Sequence, residues 1–220
     1  GVHRVKVEYY EATGNALAQL RWEPFFMDTS GADNHGACED SAACPAVGAR
    51  GRVGLAAEFD GEDDLITVPD DEALNFYDIY GAPFSVGVWV RPSQTRNGYQ
   101  TLVAKSNDAG DDRNYALRIA PNSMQVQFGF DYRPTSSQAC MYEKEGLSQG
   151  ELLQNQWNYV VMTYEGQPDN VLKFYINGYL DTVIHTGPLN YICQNYDPLT
   201  LGGDWAATGA TTFSLSDIGP

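Results

Sequence analysis

The chain has few basic residues for its size. Lys and Arg number 13 against 29 Asp and Glu, so the formal net charge is −16. A nucleic-acid-binding protein needs a basic face, and anionic membrane surfaces attract Lys and Arg, so this charge argues against both partners. An acidic surface favours divalent cations and basic partners, and it also keeps a protein soluble. The charge alone does not choose between a cation-binding role and simple solubility.

Motifs of several common catalytic sites are also missing. The three histidines, His3, His35 and His185, lie outside any Gly-x-Ser-x-Gly context, and the chain has no Gly-rich phosphate loop. His185 follows a strand-like run, which is typical of an exposed residue at a strand end. Neither a signal peptide nor a membrane-spanning run is recognisable, and the first residue is Gly. We therefore expect a processed piece of a larger secreted protein, without membrane insertion.

Turn-forming and aromatic residues are plentiful. The 220 residues include 22 Gly, 11 Pro, 14 Tyr, 9 Phe and 4 Trp. Glycine and proline supply turns between many short strands, and aromatic side chains suit half-buried strand positions. A chain of this length can also bury a hydrophobic core that is large enough to fold without disulfides or bound metals. This composition predicts one large β-sandwich or two small domains.

Short runs with the period of a β-strand recur along the chain. Within Gly54 to Val68, an apolar strand enters the turn Phe59-Asp60-Gly61 and a second strand follows. Asn177-Gly178 is a strong signal for a type I′ hairpin turn. Long helical periodicity is missing, and only Glu143 to Leu153 allows a short helix. Further predicted strands lie in Phe84–Pro92, Leu102–Lys105, Asn114–Ile119, Gln156–Gly166, Leu172–Asp181 and Leu199–Asp204.

The order of these strands resembles that of a laminin-G-like, concanavalin A-like domain over about residues 25–220. The resemblance implies an all-β fold, an antiparallel two-sheet jelly-roll sandwich. It also implies a non-catalytic extracellular module, secreted or on the cell surface, that serves adhesion or carbohydrate recognition. Its expected ligand is a glycan or an extracellular protein, and calcium is expected to stabilise its loops.

Residues 1–24 form a separate predicted unit, an extra N-terminal β-hairpin. Residues 2–10 alternate as a strand, Thr13-Gly14-Asn15 reads as a turn, and residues 16–22 read as the return strand. The hairpin resembles the last hairpin of the protective-antigen-type sugar-binding domains, but no sugar-binding residue carries over. A lone hairpin is marginally stable in water, so we expect docking on the sandwich or on a neighbouring copy. Strand exchange between copies would make the chain a subunit of an extracellular fibre or filament.

Four cysteines lie in predicted loops, which suggests disulfides formed in an oxidising compartment. We predict the pairs Cys38–Cys44 and Cys140–Cys193. Zinc bound by Cys38, Cys44 and His35 is the alternative. The spacing matches no compact zinc pattern and no second ligand pair follows, so disulfides are favoured.

Calcium would need several oxygen ligands. In domains of the resembled family, the opening loop and an Asp of the closing strand lie near each other. By that match the candidate ligands are Asp28, Asp33, Asn34, the carbonyl of Gly36, and Asp217, with Asp60 in support. The alternative is that Asp28 and Asp33 only cap turns through their own backbone. A second acidic group, within Asn107 to Asn114, is interpreted as a solvated loop.

An enzymatic alternative rests on Glu58, Asp60 and Glu62. Their E-x-D-x-E order resembles the catalytic strand of laminarinase-type glycoside hydrolases, in which a strand places the carboxylates on one face. Retaining hydrolysis needs two carboxyl groups about 5–5.5 Å apart. Gly61 and the acidic run after it favour a turn here, and no Trp flanks the segment. We therefore predict a binding module rather than an enzyme.

Aromatic side chains in loops are candidates for ligand contact, because sugars stack on aromatic rings. Trp89 and Trp157 lie within alternating runs and are assigned to the core. Loops at one rim of a sandwich collect binding residues. The predicted ligand-binding residues are Trp205, Asp204, Tyr99 and Asn97. Other tyrosines predicted in loops are Tyr132, Tyr142, Tyr191 and Tyr196.

Overall fold

A computed structural model describes residues 25–38, 40–76, 83–106, 113–135, 137–140, 142–187 and 191–203. The predicted N-terminal hairpin lies outside the described residues, and so do most of the acidic group within 107–114 and the predicted site residues Asp204, Trp205 and Asp217. The domain boundary at residue 24 therefore stays a prediction.

Fifteen strands are described in three sheets. The largest sheet contains nine strands: β1 (Phe25–Phe26), β2 (Gly36–Ala37), β5 (Ile66–Val68), β7 (Gln100–Lys105), β8 (Tyr115–Ile119), β9 (Gln125–Arg133), β10 (Tyr142–Glu151), β14 (Tyr191–Ile192) and β15 (Leu199–Leu201). The second sheet contains β6 (Phe84–Val90), β11 (Asn158–Glu165), β12 (Val171–Ile176) and β13 (Tyr179–His185). A separate hairpin contains β3 (Ala46–Arg50) and β4 (Leu55–Glu58).

The strands pair antiparallel throughout. The nine-stranded sheet has the order β1-β2-β5-β15-β7-β8-β9-β10, and β14 pairs with β9. The four-stranded sheet has the order β13-β12-β11-β6. Many neighbours in these sheets are far apart in sequence, as expected of a jelly roll. The predicted all-β, two-sheet sandwich is confirmed.

The main core lies between the two sheets, because period-two alternation turns every second side chain inward. In β9 the inward residues Val126, Phe128 and Phe130 are fully buried, and so are Met162 in β11 and Phe174 in β12. Each such side chain stabilises the fold by about 1.5–3 kcal/mol relative to exposure. The alternate positions of β9, which include Gln127, Gly129 and Asp131, face the opposite side of the sheet.

The turn between β12 and β13 confirms its sequence signal. Asn177 and Gly178 have φ angles of 54° and 87°, so both lie in the left-handed region that a type I′ turn requires. The Asn177 side chain also accepts a hydrogen bond from the backbone N–H of Tyr159 at 2.9 Å. The turn thereby fixes the hairpin against the neighbouring strand β11.

Three predictions about local structure were wrong. Residues 142–151 form strand β10 rather than a helix, since pairing with β9 overrides any local helical preference. Trp89 and Trp157 are half-buried rather than core residues, and Trp89 stacks on Tyr159 with ring centroids 5.0 Å apart. Three tyrosines predicted in loops lie in strands instead: Tyr132, Tyr142 and Tyr191. The fourth, Tyr196, is an exposed loop residue as predicted. His185 is exposed at the end of β13, also as predicted.

Both predicted disulfides are present. Cys38 pairs with Cys44, and Cys140 pairs with Cys193, so the zinc alternative fails because its two thiols are consumed. His35 has another role, since its Nδ1 accepts the backbone N–H of Asp28 at 3.0 Å.

Helix is limited, in the part of the chain that the structure describes, to two 3-10 turns at Ser41–Ala43 and Glu72–Leu74. Within that part, no helix has the length and apolar character needed to cross a membrane.

Candidate functional site

The outward side of the nine-stranded sheet carries a row of polar side chains. Arg118 in β8 lies opposite Gln127 in β9, and Gln127 lies opposite Leu147 in β10. Glu145 in β10 lies opposite Gly129 in β9. Side chains paired in this way project from the same face of a sheet. The row therefore crosses three strands on the side away from the core.

Tyr99 stands at one end of this row, just before β7. The residue is 37% exposed, and the guanidinium carbon of Arg118 lies 5.4 Å from the ring centroid. The Gln127 amide nitrogen lies 3.3 Å from the Tyr99 hydroxyl and donates to Glu145 Oε2 at 3.0 Å. An aromatic face, an amide and a carboxylate thus lie side by side.

Arg113 holds the other end of the row. It lies just before β8, is buried, and donates to Asp131 Oδ1 at 3.1 Å and to Glu145 Oε1 at 3.2 Å. Glu143 Oε1 lies 3.3 Å from the same guanidinium group. We call the surface formed by these residues the outer-face strip; its members are Tyr99, Arg113, Arg118, Gln127, Asp131, Glu143 and Glu145.

Gly129 allows the strip to lie close to the sheet. A Cβ added there would come within 3.2 Å of the Glu145 side chain and 3.3 Å of the Arg113 guanidinium carbon. That separation is tighter than ordinary van der Waals contact, so a larger residue would push both charged groups away. The glycine is needed for the close approach of side chains rather than for an unusual backbone angle.

Burial and ion pairing act in opposite directions on Asp131. Burial raises the pKa of its carboxyl above the ordinary value, and the hydrogen bonds and positive charge of Arg113 oppose that change. Asp131 Oδ2 also accepts the backbone N–H of Arg113 at 2.7 Å. The buried carboxylate thus fixes the position of Arg113, which in turn orients Glu145 at the surface.

The Cys140–Cys193 disulfide lies beside the strip. The backbone N–H of Cys193 donates to the Asp131 carbonyl at 2.9 Å, and the Cys193 carbonyl accepts from the Asn114 side chain at 2.6 Å. These hydrogen bonds fasten the segment after β14 to β9 and to the residue that follows Arg113, and the disulfide joins the same segment to Cys140, just before β10. The strip is supported by covalent and hydrogen-bonded neighbours, as a preorganised binding surface requires.

Comparison with known families agrees with this architecture. The sequence matches the Laminin_G_3 family, described as concanavalin A-like lectin/glucanases superfamily, over residues 60–218, more than half of the chain. The chain belongs to the concanavalin A-like lectin/glucanases superfamily. No curated protein matches this superfamily member in sequence.

Solved structures similar to this superfamily member include two toxin binding domains. The binding domain of Paraclostridial Mosquitocidal Protein 1 has a TM-score of 0.60 and 16% identity, covering 87% of this chain and 44% of that one. The botulinum neurotoxin serotype G binding domain has a TM-score of 0.52 and 16% identity, covering 86% of this chain and 45% of that one. A Ruminococcus gnavus IT-sialidase CBM40 bound to α2,3-sialyllactose has a TM-score of 0.47 and 18% identity, covering 62% of this chain and 72% of that one. This chain spans less than half the length of either toxin chain.

Of the ligand-binding residues predicted for this concanavalin A-like chain, Tyr99 lies in the outer-face strip. Asn97 lies two residues before it, exposed in the loop that leads into β7. Asp204 and Trp205 lie outside the described residues, so the structure brings together only part of the predicted set.

Sequence reasoning missed Arg118, Gln127 and Glu145. A signal for them was present, because Arg118 interrupts the apolar run of β8, and polar residues alternate with apolar ones in β9. That alternation identifies outward residues on each strand. It does not reveal which strands are neighbours, and therefore does not assemble the strip.

The predicted calcium loop is ordered by its own hydrogen bonds. Asp28 accepts from Ser30 N at 2.8 Å, Ser30 Oγ at 2.7 Å and Asn34 N at 3.1 Å. The hydrogen bonds from Ser30, above all, lower the pKa of the Asp28 carboxyl. Asp33 is exposed with a φ of 61°, whereas Gly36 is buried in β2. The loop offers the hard oxygen donors that calcium needs, although both Asp28 oxygens already accept hydrogen bonds.

Asp60 lies in a different group of carboxylates. Its side chain lies with those of Asp63 and Asp64, and one carboxylate oxygen from each falls within 4.8 Å of the others. Burial, chiefly, raises the pKa of Asp64, and the charges of Asp60 and Asp63 act in the same direction. Asp64 Oδ2 accepts the backbone N–H of Asp60 at 2.7 Å, so this carboxylate also closes the turn.

The segment that suggested a hydrolase does not form one continuous strand. Strand β4 ends at Glu58, and Asp60 accepts the backbone N–H of Glu62 at 2.8 Å within the turn. Gly61 has a φ of 78°, which suits a turn and not a strand. The predicted turn is therefore confirmed, and these residues lack the strand alternation that the hydrolase hypothesis needs.

Proposed function

We propose that this chain is a non-catalytic extracellular glycan-recognition module and that the outer-face strip is its binding surface. The observation that carries the proposal is the partly exposed Tyr99 ring beside Arg118, Gln127 and Glu145. A sugar ring has an apolar face that stacks on an aromatic side chain and hydroxyls that bond to amides and carboxylates. The strip offers both kinds of contact on rigid strands.

The charges of the strip favour binding over catalysis. Arg113 contacts all three carboxylates, Asp131, Glu143 and Glu145. An ion pair with a guanidinium group fixes the position of a carboxylate as a hydrogen-bond acceptor, which suits ligand binding. The toxin domains of similar fold are also named as binding domains. An extracellular location is supported by the two disulfides, since disulfides persist in oxidising compartments.

The same charges favour neutral glycans. Two arginines face three carboxylates in the strip, and the whole chain has a formal net charge of −16. Sulfated or multiply sialylated glycans would approach this surface against its overall field. We therefore expect ligands whose recognition depends on hydroxyl groups.

A glycan array followed by titration of the strongest neutral hit tests the proposal. Replacing Glu145 by Gln should weaken binding about tenfold or more, since a hydrogen bond to a charged group contributes about 1.5–3 kcal/mol. Tyr99→Ala should also weaken it by removing the stacking surface. The matched control is Tyr179→Ala, because Tyr179 is 79% exposed on the other sheet. Absence of any array signal, or equal affinity in all three variants, would overturn the proposal.

Calcium binding by the loop that contains Asp28, Asp33 and Asn34 is the second part of the proposal. Oxygen donors and the acidic surface support it, and bound calcium would stiffen loops of the sandwich. In a thermal melt, added calcium should raise the unfolding temperature above that in EDTA, because a ligand of the folded state stabilises it. The Asp33→Asn variant should respond less. An identical melt in EDTA and in millimolar calcium would contradict this part alone, leaving the glycan proposal intact.

A further inference from the structure

An apolar surface surrounds the hairpin of β3 and β4. Four apolar residues there are between 62% and 78% exposed: Met27, Val47, Val53 and Leu55. With Phe26 they form what we call the hairpin face. Single exposed apolar residues are ordinary, but a contiguous group of this kind marks a contact surface.

Two clefts make the hairpin face concave. One has a volume of about 240 Å³ and is lined by Phe26, Leu55, Trp89 and Trp157, among other residues. The other has a volume of about 610 Å³ and is lined by Phe26, Met27, Val47 and Leu55, among others. Phe26 and Leu55 line both clefts, so they lie at the centre of the surface.

Strand edges of the described part of the chain also lie at this surface. Among the described residues, β3 and β4 pair only with each other, and β1 lies at the end of the nine-stranded sheet. An exposed strand edge offers unpaired backbone groups to any extended segment that approaches it. The hairpin face thus combines apolar clefts with edges that accept a further strand.

We propose that residues 1–24 of the same chain cover the hairpin face. Residue 24 is joined directly to β1, and Phe26 of that strand lines both clefts, so the segment starts at the surface that it would cover. Its sequence alternates apolar residues, Val5, Val7 and Tyr9, in the period of a strand. A tethered segment also has a high effective concentration at its site.

Other occupants fit this surface less well. The lining side chains of both clefts are almost all apolar, whereas a glycan needs several polar partners. An anionic membrane is opposed by the formal net charge of −16. A second copy of the chain would offer the same residues 1–24 as the first, without the advantage of the tether.

Limited trypsin digestion of the full chain, read by mass spectrometry, tests the proposal. Cleavage after Lys6 and Arg21 should be slow in the parent chain. It should be roughly tenfold or more faster in Leu55→Asp, because cleavage follows the population of the open segment. Leu180→Asp is the matched control, since Leu180 is a 54% exposed leucine on β13. Its cleavage rate should equal that of the parent.

A reciprocal variant covers the case in which Leu55→Asp fails to fold. Tyr9→Asp changes the segment and leaves the hairpin face intact, and it should accelerate the same two cleavages. Rapid cleavage of residues 1–24 in the parent, at the rate seen in both variants, would overturn the proposal. Protection that disappears on dilution together with a dimer peak in size-exclusion chromatography would also overturn it, because a second copy would then be the occupant.

Discussion

Replacing Lys105 by Met is expected to destabilise the fold by about 3 kcal/mol, near the lower end of the range for breaking a buried ion pair. The Lys105 side chain has no exposed surface, and Nζ donates to Asp70 Oδ1 at 2.6 Å and to the Asp197 carbonyl at 2.5 Å. Methionine fills a similar volume but donates no hydrogen bond. The Asp70 carboxylate and the Asp197 carbonyl would both lose their charged donor.

Lys105 connects several segments of the chain. Its side chain in β7 connects the segment that precedes β6 to the segment that precedes β15 through Asp70 and Asp197. Its backbone carbonyl accepts from Asn114 N at 2.9 Å and from the Asn195 side chain at 3.1 Å. Because Asp70 is partly exposed, water can replace some of the lost interaction, which places the expected loss at the lower end.

The effect of pH supplies a second readout of the same prediction. Burial acts to raise the pKa of Asp70, but hydrogen bonds from Lys105 and Asn75 outweigh it and hold that pKa below 3.8. A carboxyl whose pKa is lower in the folded state stabilises the fold above its unfolded pKa. This stabilisation is lost as pH falls through the folded pKa. The difference between parent and Lys105→Met should therefore shrink below about pH 3.8.

Urea denaturation of both proteins at neutral and acid pH measures these effects. The matched control is Lys173→Met, which removes a lysine from a more exposed ion pair with Glu165. Surface ion pairs are screened by water and salt, so this control should change the unfolding midpoint very little. Equal losses in the two variants, or a loss for Lys105→Met that stays constant with pH, would contradict the burial argument.

The sequence predicts the sandwich because its strongest signals, strand alternation and turn residues, are local. The alternation of Val126, Phe128 and Phe130 sets the core side of β9 without knowledge of any neighbour. The Asn177-Gly178 turn is equally local, because a type I′ turn needs two positive φ angles. The predicted turn therefore agrees with the structure, whereas β9 was not among the predicted strands and alternation wrongly assigned Trp89 and Trp157 to the core.

The outer-face strip depends on the register between neighbouring strands. Local sequence patterns do not give that register, so they do not predict the strip. Arg113 reaches Glu145 only because β9 lies between their strands and presents Gly129 opposite Glu145. A shift of one residue in that pairing would turn Glu145 to the core side. Composition gives no register, and the same limit explains why Glu143 to Leu153 was considered for a short helix. Its charged residues suit a helix locally until pairing with β9 is known.

Removing the Cys140–Cys193 disulfide is expected to destabilise the fold by about 4 kcal/mol in the chain-entropy account. The two cysteines are 53 residues apart, so the bridge excludes many conformations of the unfolded chain. Cys38 and Cys44 are only 6 residues apart, and the same account gives about 2 kcal/mol for that bridge. Changing each pair to alanine and measuring urea denaturation gives a comparison within one protein.

The two disulfide variants should differ in ligand binding as well as in stability. The backbone of Cys193 donates to the Asp131 carbonyl and accepts from the Asn114 side chain, so its bridge supports β9 and the segment that holds Arg113. Cys38 instead packs with Phe59 and Ile66 in a smaller apolar cluster away from the strip. Below its unfolding transition, the Cys140/Cys193 variant should bind the array-selected glycan more weakly, while the Cys38/Cys44 variant should bind it as the parent does.

A larger stability loss for the Cys38/Cys44 variant would contradict the loop-length argument. Equal binding by both variants would show that the strip keeps its geometry without the nearby bridge.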